Sequence, residues 1–247
     1  MTSLPTHQNR VAVVTGSARG IGTAIAVALA SRGAKIVAVD LQSPSATVAA
    51  IGGAAVGVAA DVSDPKGWAA IGRAAQEAFG GADIVVNNAA YYPNRSIDDL
   101  DFETWRRTMS VNLDAQFLSA KEFVPVMRRR KWGRFVGISS NSIGLAIPGM
   151  SHYISSKMAI IGFMRGLAND VAKDGITCNA VLPGITDTPA TAPMPDEVRR
   201  ATWQAQAIQR FAKPEDIVGP VLFLTTDDAA FMTGQAVVVD GGQYRVG

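Results

Sequence analysis

The sequence of 247 residues has little cysteine, little histidine and little excess charge, and each shortage excludes a class of protein. The single cysteine, Cys178, cannot form an internal disulfide, which favours a reducing compartment such as the cytoplasm. The two histidines belong to no Cys/His cluster, so we predict no metal site. A net charge of +2 is too small to indicate a nucleic-acid partner.

Membrane-targeting segments are also missing from the sequence. The first ten residues are polar and lack the apolar core of a signal peptide. Residues 41–60 carry no charge, but small residues dominate them, which makes a poor membrane span. We therefore expect no membrane partner. With 48% hydrophobic and 18% charged residues, the chain also has too much apolar side chain for a disordered protein.

What the sequence does contain is an alternation of short β-branched runs with helical patterns. We predict strands at residues 11–15, 35–39, 55–60, 83–87, 134–139, 176–182 and 236–240. We predict helices at residues 21–32, 65–79, 102–129, 151–174 and 214–225. This alternation is typical of an α/β protein with an open parallel sheet of about seven strands and helices on both faces. No linker divides the chain.

The alternation is interrupted after the sixth predicted strand. Between residues 183 and 210, four prolines precede a predicted short helix at residues 197–207. A long insertion after a strand end often covers a ligand site. We therefore predict a lid over about residues 185–210, with an ordinary surface excursion as the alternative.

A glycine-rich turn, TGSARGIG at residues 15–22, joins the first strand to the first helix. Glycines permit a tight turn and close approach of the backbone to a pyrophosphate. The helix that follows presents free N–H groups to the anion. We therefore predict that a dinucleotide binds at this turn, with contacts from Gly16, Arg19, Gly20, Ile21 and Gly22.

Asp40 ends the second strand, 20 residues after Gly20. A carboxylate at this position can accept hydrogen bonds from the adenosine ribose hydroxyls, and it would repel the 2′-phosphate of NADP. Arg19 favours the opposite choice, because it could pair with that phosphate. No second basic residue follows Asp40, so we predict NAD as the cofactor and keep NADP as the alternative.

Tyr153 and Lys157 are four residues apart in a helical pattern, which places both side chains on one helix face. A nearby ammonium would lower the pKa of the phenol, giving a group that exchanges a proton with an alcohol. Ser140 follows the fifth strand and could donate to the substrate oxygen. Asn112 lies within a predicted helix, where an amide is unusual; a catalytic role and a structural role at a kink are both compatible with it.

In combination these motifs resemble the short-chain dehydrogenase/reductase family. Their order and spacing match that family from about residue 10 to Asp240-Gly241-Gly242. The matching motifs are TGxxxGxG at 15–22, Asn87-Asn88-Ala89, Asn112, Ser140, Tyr153-x-x-x-Lys157 and Pro183-Gly184. The resemblance implies a single NAD-binding Rossmann domain over residues 1–247, with a doubly wound parallel sheet. One departure is Ala90, where the family usually has glycine.

The resemblance also implies roles for individual residues. Tyr153 would be the general acid/base and Ser140 the donor to the carbonyl oxygen. Lys157 would bind the nicotinamide ribose and lower the pKa of the tyrosine, and Asn112 would hold the water through which a proton reaches solvent. Further cofactor contacts implied by the family are Asp61, Val62, Asn88, Ala89, Pro183, Gly184, Ile185 and Thr188. Homotetramers are usual in this family.

The substrate pocket is expected where the fourth, fifth and sixth strands end. The predicted lining residues are Tyr92, Ser140, Asn141, Ile147, Tyr153 and Met194. None is charged, which favours a neutral, apolar, aromatic or cyclic secondary alcohol or its ketone. His152 could face the same cleft or be a satisfied surface histidine, and Tyr92 could instead pack between subunits.

Local patterns at residues 92–93, 120–127, 132–134 and 152–157 further resemble 1-phenylethanol dehydrogenases within the family. We therefore predict an NAD-dependent oxidoreductase that transfers hydride between nicotinamide and a carbinol carbon of a small molecule. The alternatives are an NADP-dependent carbonyl or 3-oxoacyl-type reductase, and a non-catalytic nucleotide-sensing protein on the same fold. The absence of a G-x-S-x-G motif argues against a serine hydrolase.

Overall fold

The computed structural model describes residues 6–245, and a sheet of seven parallel strands runs through its centre. The strand order is β3-β2-β1-β4-β5-β6-β7, and every neighbouring pair is parallel. The strands are β1 (Val11–Thr15), β2 (Lys35–Asp40), β3 (Ala55–Ala59), β4 (Ile84–Asn87), β5 (Gly133–Ile138), β6 (Ile176–Pro183) and β7 (Ala236–Val239). The predicted seven-stranded parallel sheet is confirmed, with each strand end within one residue of its prediction.

Eight α-helices accompany the sheet within the described residues. They are α1 (Gly20–Ser31), α2 (Ser45–Ile51), α3 (Pro65–Phe79), α4 (Phe102–Met109), α5 (Ala115–Arg130), α6 (Ser151–Val171), α7 (Asp196–Gln204) and α8 (Pro214–Leu224). The sequence analysis did not predict α2, because seven residues are too few to show a helical period. The predicted helix at 102–129 is two helices separated by a π-helical turn, Ser110–Asp114.

Apolar residues alternate between the two faces of the sheet and form two cores. On β1, Val13 faces the core beneath α3, α5 and α6, and Val14 faces the core beneath α1 and α8. The same alternation appears on β5 at Phe135 and Val136. Both faces of the central strands are therefore covered, which is why these strands are apolar throughout. None of the described helices is long and apolar enough to cross a membrane.

Strands β1 and β4 lie side by side at the centre of the sheet. From β1 to β3 successive strands are added on one side of this pair, and from β4 to β7 they are added on the other. Such a switch point opens a crevice at the carboxyl ends of the strands, where ligands bind. The hydroxyl of Thr15 joins the two strand ends, because it accepts hydrogen bonds from the backbone N–H groups of Asn88 (2.9 Å) and Ala89 (3.0 Å). The candidate site lies at this edge.

The segment after β6 forms a closed excursion that contains α7. Its two ends meet where Thr186 pairs with Ala212, and the N–H of Asp187 donates to the Ala212 carbonyl at 2.8 Å. The helix begins one residue before the predicted 197–207 and ends at Gln204, three residues early. It ends early because the chain turns toward the carboxyl terminus, where the N–H of Ile208 donates to the Gly241 carbonyl.

Candidate active site

The glycine turn has the backbone conformation that a dinucleotide site requires. Gly16 and Gly20 have φ values of +66° and +63°, in the left-handed region that favours glycine. A Cβ on Gly22 would lie 2.1 Å from the carbonyl oxygen of Gly16, so only glycine lets α1 begin against the turn. Arg19, the residue that caps α1, makes no side-chain hydrogen bond to the helix. The first N–H groups of α1 can therefore bind a pyrophosphate.

Asn88 braces this turn from the end of β4. Its side-chain amide donates to the carbonyl oxygens of Thr15 (2.9 Å) and Gly16 (3.1 Å). The Cα of Ala89 lies 2.9 Å from the position that a Cβ on Gly16 would take, so the two loops are in contact. In the structure Asn88 therefore holds the predicted dinucleotide turn in place, and the backbone of Ala89 contacts that turn.

Two carboxylates mark the adenosine side of the crevice. Asp40 accepts backbone N–H groups from Ala18 (3.0 Å) and Gln42 (3.2 Å), which aims it along the glycine turn. Asp61 accepts two hydrogen bonds from Ser63 and forms an ion pair with Arg107, in which a guanidinium nitrogen lies 3.0 Å from a carboxylate oxygen. Burial favours a higher pKa for Asp61, but these partners outweigh burial and hold the pKa below its usual value.

Val62 is buried beside Asp61, and its carbonyl accepts the indole N–H of Trp68 at 2.8 Å. The end of β3 is thereby held rigid. The family resemblance places adenine between these two residues, and the chain order of strands agrees, since β3 follows β2 at this edge.

Ser140, Tyr153 and Lys157 meet at the carboxyl end of β5. The Lys157 ammonium is 5.5 Å from the centroid of the Tyr153 ring, one turn away on α6, and it donates to the carbonyl of Ile138 at 2.7 Å. Ser140 lies close enough to the Tyr153 hydroxyl to lower its pKa. The hydroxyl oxygen of Ser140 accepts the N–H of Ser142 at 3.1 Å, which fixes its rotamer at the start of a 3-10 turn.

The pKa values of this pair do not follow the expectation from sequence. Burial raises the pKa of Tyr153 to about 12; the nearby Ser140 side chain lowers it and Tyr92 raises it further. Burial lowers the pKa of Lys157 to about 7. The predicted lowering of the phenol pKa by Lys157 is not found, because the buried amine has itself lost much of its charge at neutral pH. A neutral phenol at pH 7 suits proton donation.

Asn112 lies within the π-helical turn, fully buried, and every group of its amide is engaged. Its oxygen accepts the N–H of Tyr91 (2.8 Å), and its nitrogen donates to the Tyr91 carbonyl (3.0 Å) and to the Ser156 hydroxyl (2.9 Å). Ser156 in turn donates to the carbonyl of Tyr153 at 2.7 Å. In the structure the side chain joins α6 to the loop after β4, and its contact with a water stays a prediction.

The four predicted catalytic residues, which we call the tetrad, are Asn112, Ser140, Tyr153 and Lys157. Among the predicted substrate contacts, Tyr92 lies beside the tetrad, whereas the amide of Asn141 binds the carboxyl-terminal turn. The Tyr92 and Tyr153 ring centroids are 5.7 Å apart. The buried amide of Asn141 donates to Asp240 and Gln243, both at 3.1 Å, so it supports the carboxyl-terminal turn. His152 faces the loop after β4, where its Nε2 lies 2.8 Å from the Pro93 carbonyl.

Most of the remaining predicted contacts lie at the end of β6 or in the segment of residues 185–210, which the sequence predicts to be a lid. The methyl group of Thr188 comes within 3.4 Å of the Cβ position of Gly20, so the first part of the lid lies over the glycine turn. Gly184 packs tightly on Asp240, and its N–H donates to the Val239 carbonyl. The other predicted residues are placed as follows: Pro183 ends β6, Ile185 follows it half-buried, Met194 is half-buried ahead of α7, and Ile147 is 36% exposed after the 3-10 turn.

Two residues of the site were missed by the sequence analysis. Ser156 stands three residues after Tyr153, on the buried face of α6, and this spacing was a usable signal. The sequence contains no signal for Arg107, because this residue pairs with Asp61, which lies 46 positions away in the chain. No group of three or more potential metal ligands of the His, Cys, Asp or Glu type occurs among residues 6–245.

Comparison with known proteins places this site in a family. A sequence profile described as enoyl-(acyl carrier protein) reductase matches residues 16–243. The 3-oxoacyl-(acyl-carrier-protein) reductase FabG of Vibrio cholerae is 34% identical over 97% of this chain and 99% of its own. The BbsD subunit of a hydroxy(phenyl)methylsuccinyl-CoA dehydrogenase from Thauera aromatica is 35% identical over 96% of this chain and 97% of its own.

Solved structures agree with the sequence relatives. The crystal structure of a candidate short-chain alcohol dehydrogenase from Sinorhizobium meliloti superposes with a TM-score of 0.92, at 35% identity, covering 98% of both chains. A 3-oxoacyl-(acyl-carrier protein) reductase from Brucella melitensis has the same TM-score at 33% identity, over 99% of this chain and 95% of that one. With a glycine turn, a tyrosine–lysine pair and relatives that match from end to end, this chain belongs to the short-chain dehydrogenase/reductase family of oxidoreductases.

Proposed function

We propose that this chain interconverts a 3-hydroxyacyl group and the corresponding 3-oxoacyl group, with NAD(H) as the coenzyme. The observation that carries the reaction type is the pairing of Tyr153 with Lys157 on α6, next to Ser140 and at the strand edge that also bears the glycine turn. The substrate class is supported by the relatives, since two of those compared act on 3-oxoacyl groups by name.

The geometry gives each residue a task in this reaction. When bound, the nicotinamide supplies or accepts the hydride. Ser140 donates a hydrogen bond to the substrate oxygen, where negative charge develops during ketone reduction. Tyr153 gives its proton to that oxygen, and with its pKa raised to about 12 the phenol is protonated at neutral pH. Lys157 lies on the same face of α6 as Tyr153, and its amine donates a hydrogen bond to the carbonyl of Ile138 on β5.

The choice of NAD over NADP rests on Asp40. Its carboxylate is fixed by the N–H groups of Ala18 and Gln42 at the end of β2, and a phosphate on the ribose 2′-oxygen would bring like charges together. Asp40→Ser removes that repulsion. The expected result is a fall of at least about tenfold in the ratio of kcat/KM with NADH to kcat/KM with NADPH. Wild-type enzyme that prefers NADPH would instead assign the dominant role to Arg19.

The test of the proposed reaction is a substrate panel measured with both coenzymes. We expect acetoacetyl-CoA and a longer 3-oxoacyl-CoA to oxidise NADH, with acetophenone as the comparison ketone. Turnover of acetophenone alone would replace the proposed substrate class. No absorbance change with any ketone at any pH would favour a nucleotide-sensing protein.

A second candidate substrate class is an aromatic or cyclic secondary alcohol. The aromatic ring of Tyr92 lies 5.7 Å from the ring of Tyr153, which offers an apolar surface beside the reacting hydroxyl. The two classes overlap, because a 3-oxoacyl thioester can carry an aryl group on its ketone carbon. Benzoylacetyl-CoA belongs in the same panel, and a kcat/KM above that of acetoacetyl-CoA would indicate the aryl subclass.

A further inference from the structure

The backbone on both sides of Tyr92 is anchored by side chains from elsewhere in the chain. On one side, Asn112 binds the N–H (2.8 Å) and the carbonyl (3.0 Å) of Tyr91. On the other side, Nε2 of His152 lies 2.8 Å from the carbonyl oxygen of Pro93. Because a carbonyl oxygen can only accept, Nε2 of His152 carries the hydrogen and donates it. Tyr92 is therefore the one residue between two anchors.

Burial of His152 leaves its second ring nitrogen without a hydrogen bond within residues 6–245. The residue is fully buried, and its Nδ1 has no hydrogen-bond partner in the described part of the chain. A buried polar atom without a partner destabilises the folded state, so an apolar side chain would fill this position better if packing were its only purpose. Proline has no N–H, which leaves the carbonyl as the only polar backbone group that His152 could hold at Pro93.

The loop beyond this point is also tied to the start of α6. The N–H of Arg95 donates to the Gly149 carbonyl at 2.9 Å, and the amide of Asn94 donates to the Pro148 carbonyl at 3.3 Å. The segment of residues 91–95, which we call the Tyr92 loop, is thus attached to the first turn of α6 at His152 and to the segment just before α6 at Pro148 and Gly149. His152 supplies the attachment nearest to Tyr92 on its carboxyl side.

The Tyr92 ring occupies a position where its placement affects the substrate. It is inclined at 56° to the Tyr153 ring with centroids 5.7 Å apart, and 42% of Tyr92 remains exposed. The Tyr92 side chain therefore packs beside the catalytic tyrosine and keeps part of its surface open to a ligand. A movement of the Tyr92 loop would therefore change the width of the pocket at that point.

We propose that His152 is a positioning residue that holds Tyr92 as the wall of the substrate pocket against which an aryl substituent on the ketone carbon packs. The proposal rests on the proposed function, because it assigns a wall to the same site. His152 does not contact the reacting atoms, so it acts through the Tyr92 loop alone.

The first experiment compares His152→Leu with His152→Gln on benzoylacetyl-CoA and acetoacetyl-CoA. Loss of one hydrogen bond in His152→Leu should raise KM for the aryl substrate about tenfold and leave kcat and the affinity for NADH near wild type. The effect on the small methyl ketone should be much smaller. His152→Gln keeps an N–H at nearly the same reach and should restore most of the aryl affinity. A Gln variant no better than Leu overturns the proposal.

The second experiment is a double-mutant cycle with Tyr92→Ala. If His152 acts through Tyr92, His152→Leu has no further effect on KM for the aryl substrate once the ring is gone. Effects that multiply in the double variant show that His152 acts by another route, which overturns the proposal. Tyr92→Phe is the matched control, because it keeps the ring and should leave the coupling to His152 intact.

A readout independent of catalysis separates this proposal from the proposed function. Hydrogen exchange of a peptide that covers residues 89–96 should be faster in His152→Leu than in wild type, and close to wild type in His152→Gln. Unchanged exchange in His152→Leu overturns the proposal, whatever the substrate. If wild type turns over no ketone, the proposed function fails, and the exchange result still decides whether His152 holds the loop. Should His152→Leu not fold, His152→Asn, whose amide is too short to reach Pro93, serves in its place.

Discussion

Burial disfavours the charged form of both ionisable residues of the tetrad, Tyr153 and Lys157. It raises the pKa of Tyr153 to about 12 and lowers that of Lys157 to about 7. The polar residues around them find partners within the chain: Asn112 binds Tyr91 and Ser156, and Ser139 donates to the Lys157 carbonyl at 2.7 Å. These contacts within the chain hold the site residues in place, which is what general acid catalysis requires.

Removal of one oxygen atom from Tyr153 tests its role directly. We expect Tyr153→Phe to lower kcat by a factor on the order of 10² to 10⁴, because the proton donor is lost while the ring remains. Binding of NADH, measured by fluorescence titration, should change little. Phe231→Tyr, a change at a fully exposed ring between α8 and β7, is the control. A Tyr153→Phe variant with undiminished kcat would assign the proton transfer to another group.

His7 gives stability a pH dependence of its own. It is fully buried, with Nε2 2.9 Å from the Thr225 hydroxyl. Burial, followed by the charges of Arg32 and Arg10, lowers its pKa from 6.5 to about 4. Between these two values the unfolded chain binds more protons than the folded one, so stability falls as the pH falls from 6.5 toward 4.

The measurement for His7 is urea unfolding of wild type and His7→Gln at pH 7 and pH 5. At pH 5 the linkage amounts to at most about 2 kcal/mol. The free energy of unfolding of wild type should therefore fall more steeply with acid than that of His7→Gln, which has nothing to protonate at this position. Parallel losses in the two proteins would mean that His7 is not the group that titrates.

At the scale of single elements, the start of α1 depends on close backbone packing. We expect Gly22→Ala to weaken NADH binding more than tenfold, because the added Cβ would lie 2.1 Å from the Gly16 carbonyl and 2.7 Å from the amide of Asn88. Gly219→Ala on α8 is the matched control, since its Cβ meets nothing within 4 Å. The control should bind NADH normally and gain about 0.5–1 kcal/mol of stability.

Fluorescence titration and thermal unfolding measure both outcomes. If Gly22→Ala binds NADH as tightly as wild type, the turn can rearrange at little cost, and the packing argument fails.

Another element-level feature is the π-helical turn at Ser110–Asp114. It redirects Asn112 toward the loop after β4, and a continuous α-helix would have carried this side chain elsewhere.

At the scale of the whole molecule, the open question is assembly. The outer faces of α5 and α6 expose apolar residues, among them Phe117 at 51% exposure, with Phe163 and Leu167 beside it. This surface suits a second copy of the chain, in line with the tetramer that the family resemblance implies. We expect light scattering to give a mass four times that of one chain. Phe117→Glu should shift the protein to smaller species while its circular dichroism stays unchanged; a wild-type monomer would contradict this prediction.

Much of the architecture could be predicted from the sequence, because parallel strands buried on both faces are apolar without interruption and their helices carry a clear period. The seven strands follow from this signal. Helix α2 does not, since it has seven residues, and the break at Ser110–Asp114 does not, since its residues keep the apolar spacing of the flanking helices. The proposal that the whole chain is one domain also comes from the sequence, and a single cooperative unfolding transition would support it.

The sequence by itself determined where the candidate site residues lie along the chain, since local spacing alone brings the glycines to a turn and the tyrosine and lysine to one helix face. These candidates are the glycines of residues 16–22, Asp40, Ser140, Tyr153 and Lys157. Only the tertiary structure decided what surrounds them. Burial raises the pKa of Tyr153, where the sequence predicted a lower value. The side chain of Asn141 donates a hydrogen bond to Asp240, and that of His152 hydrogen-bonds the carbonyl of Pro93. Each of these depends on contacts between residues far apart in the chain, and such contacts exist only once the strands and helices have packed together.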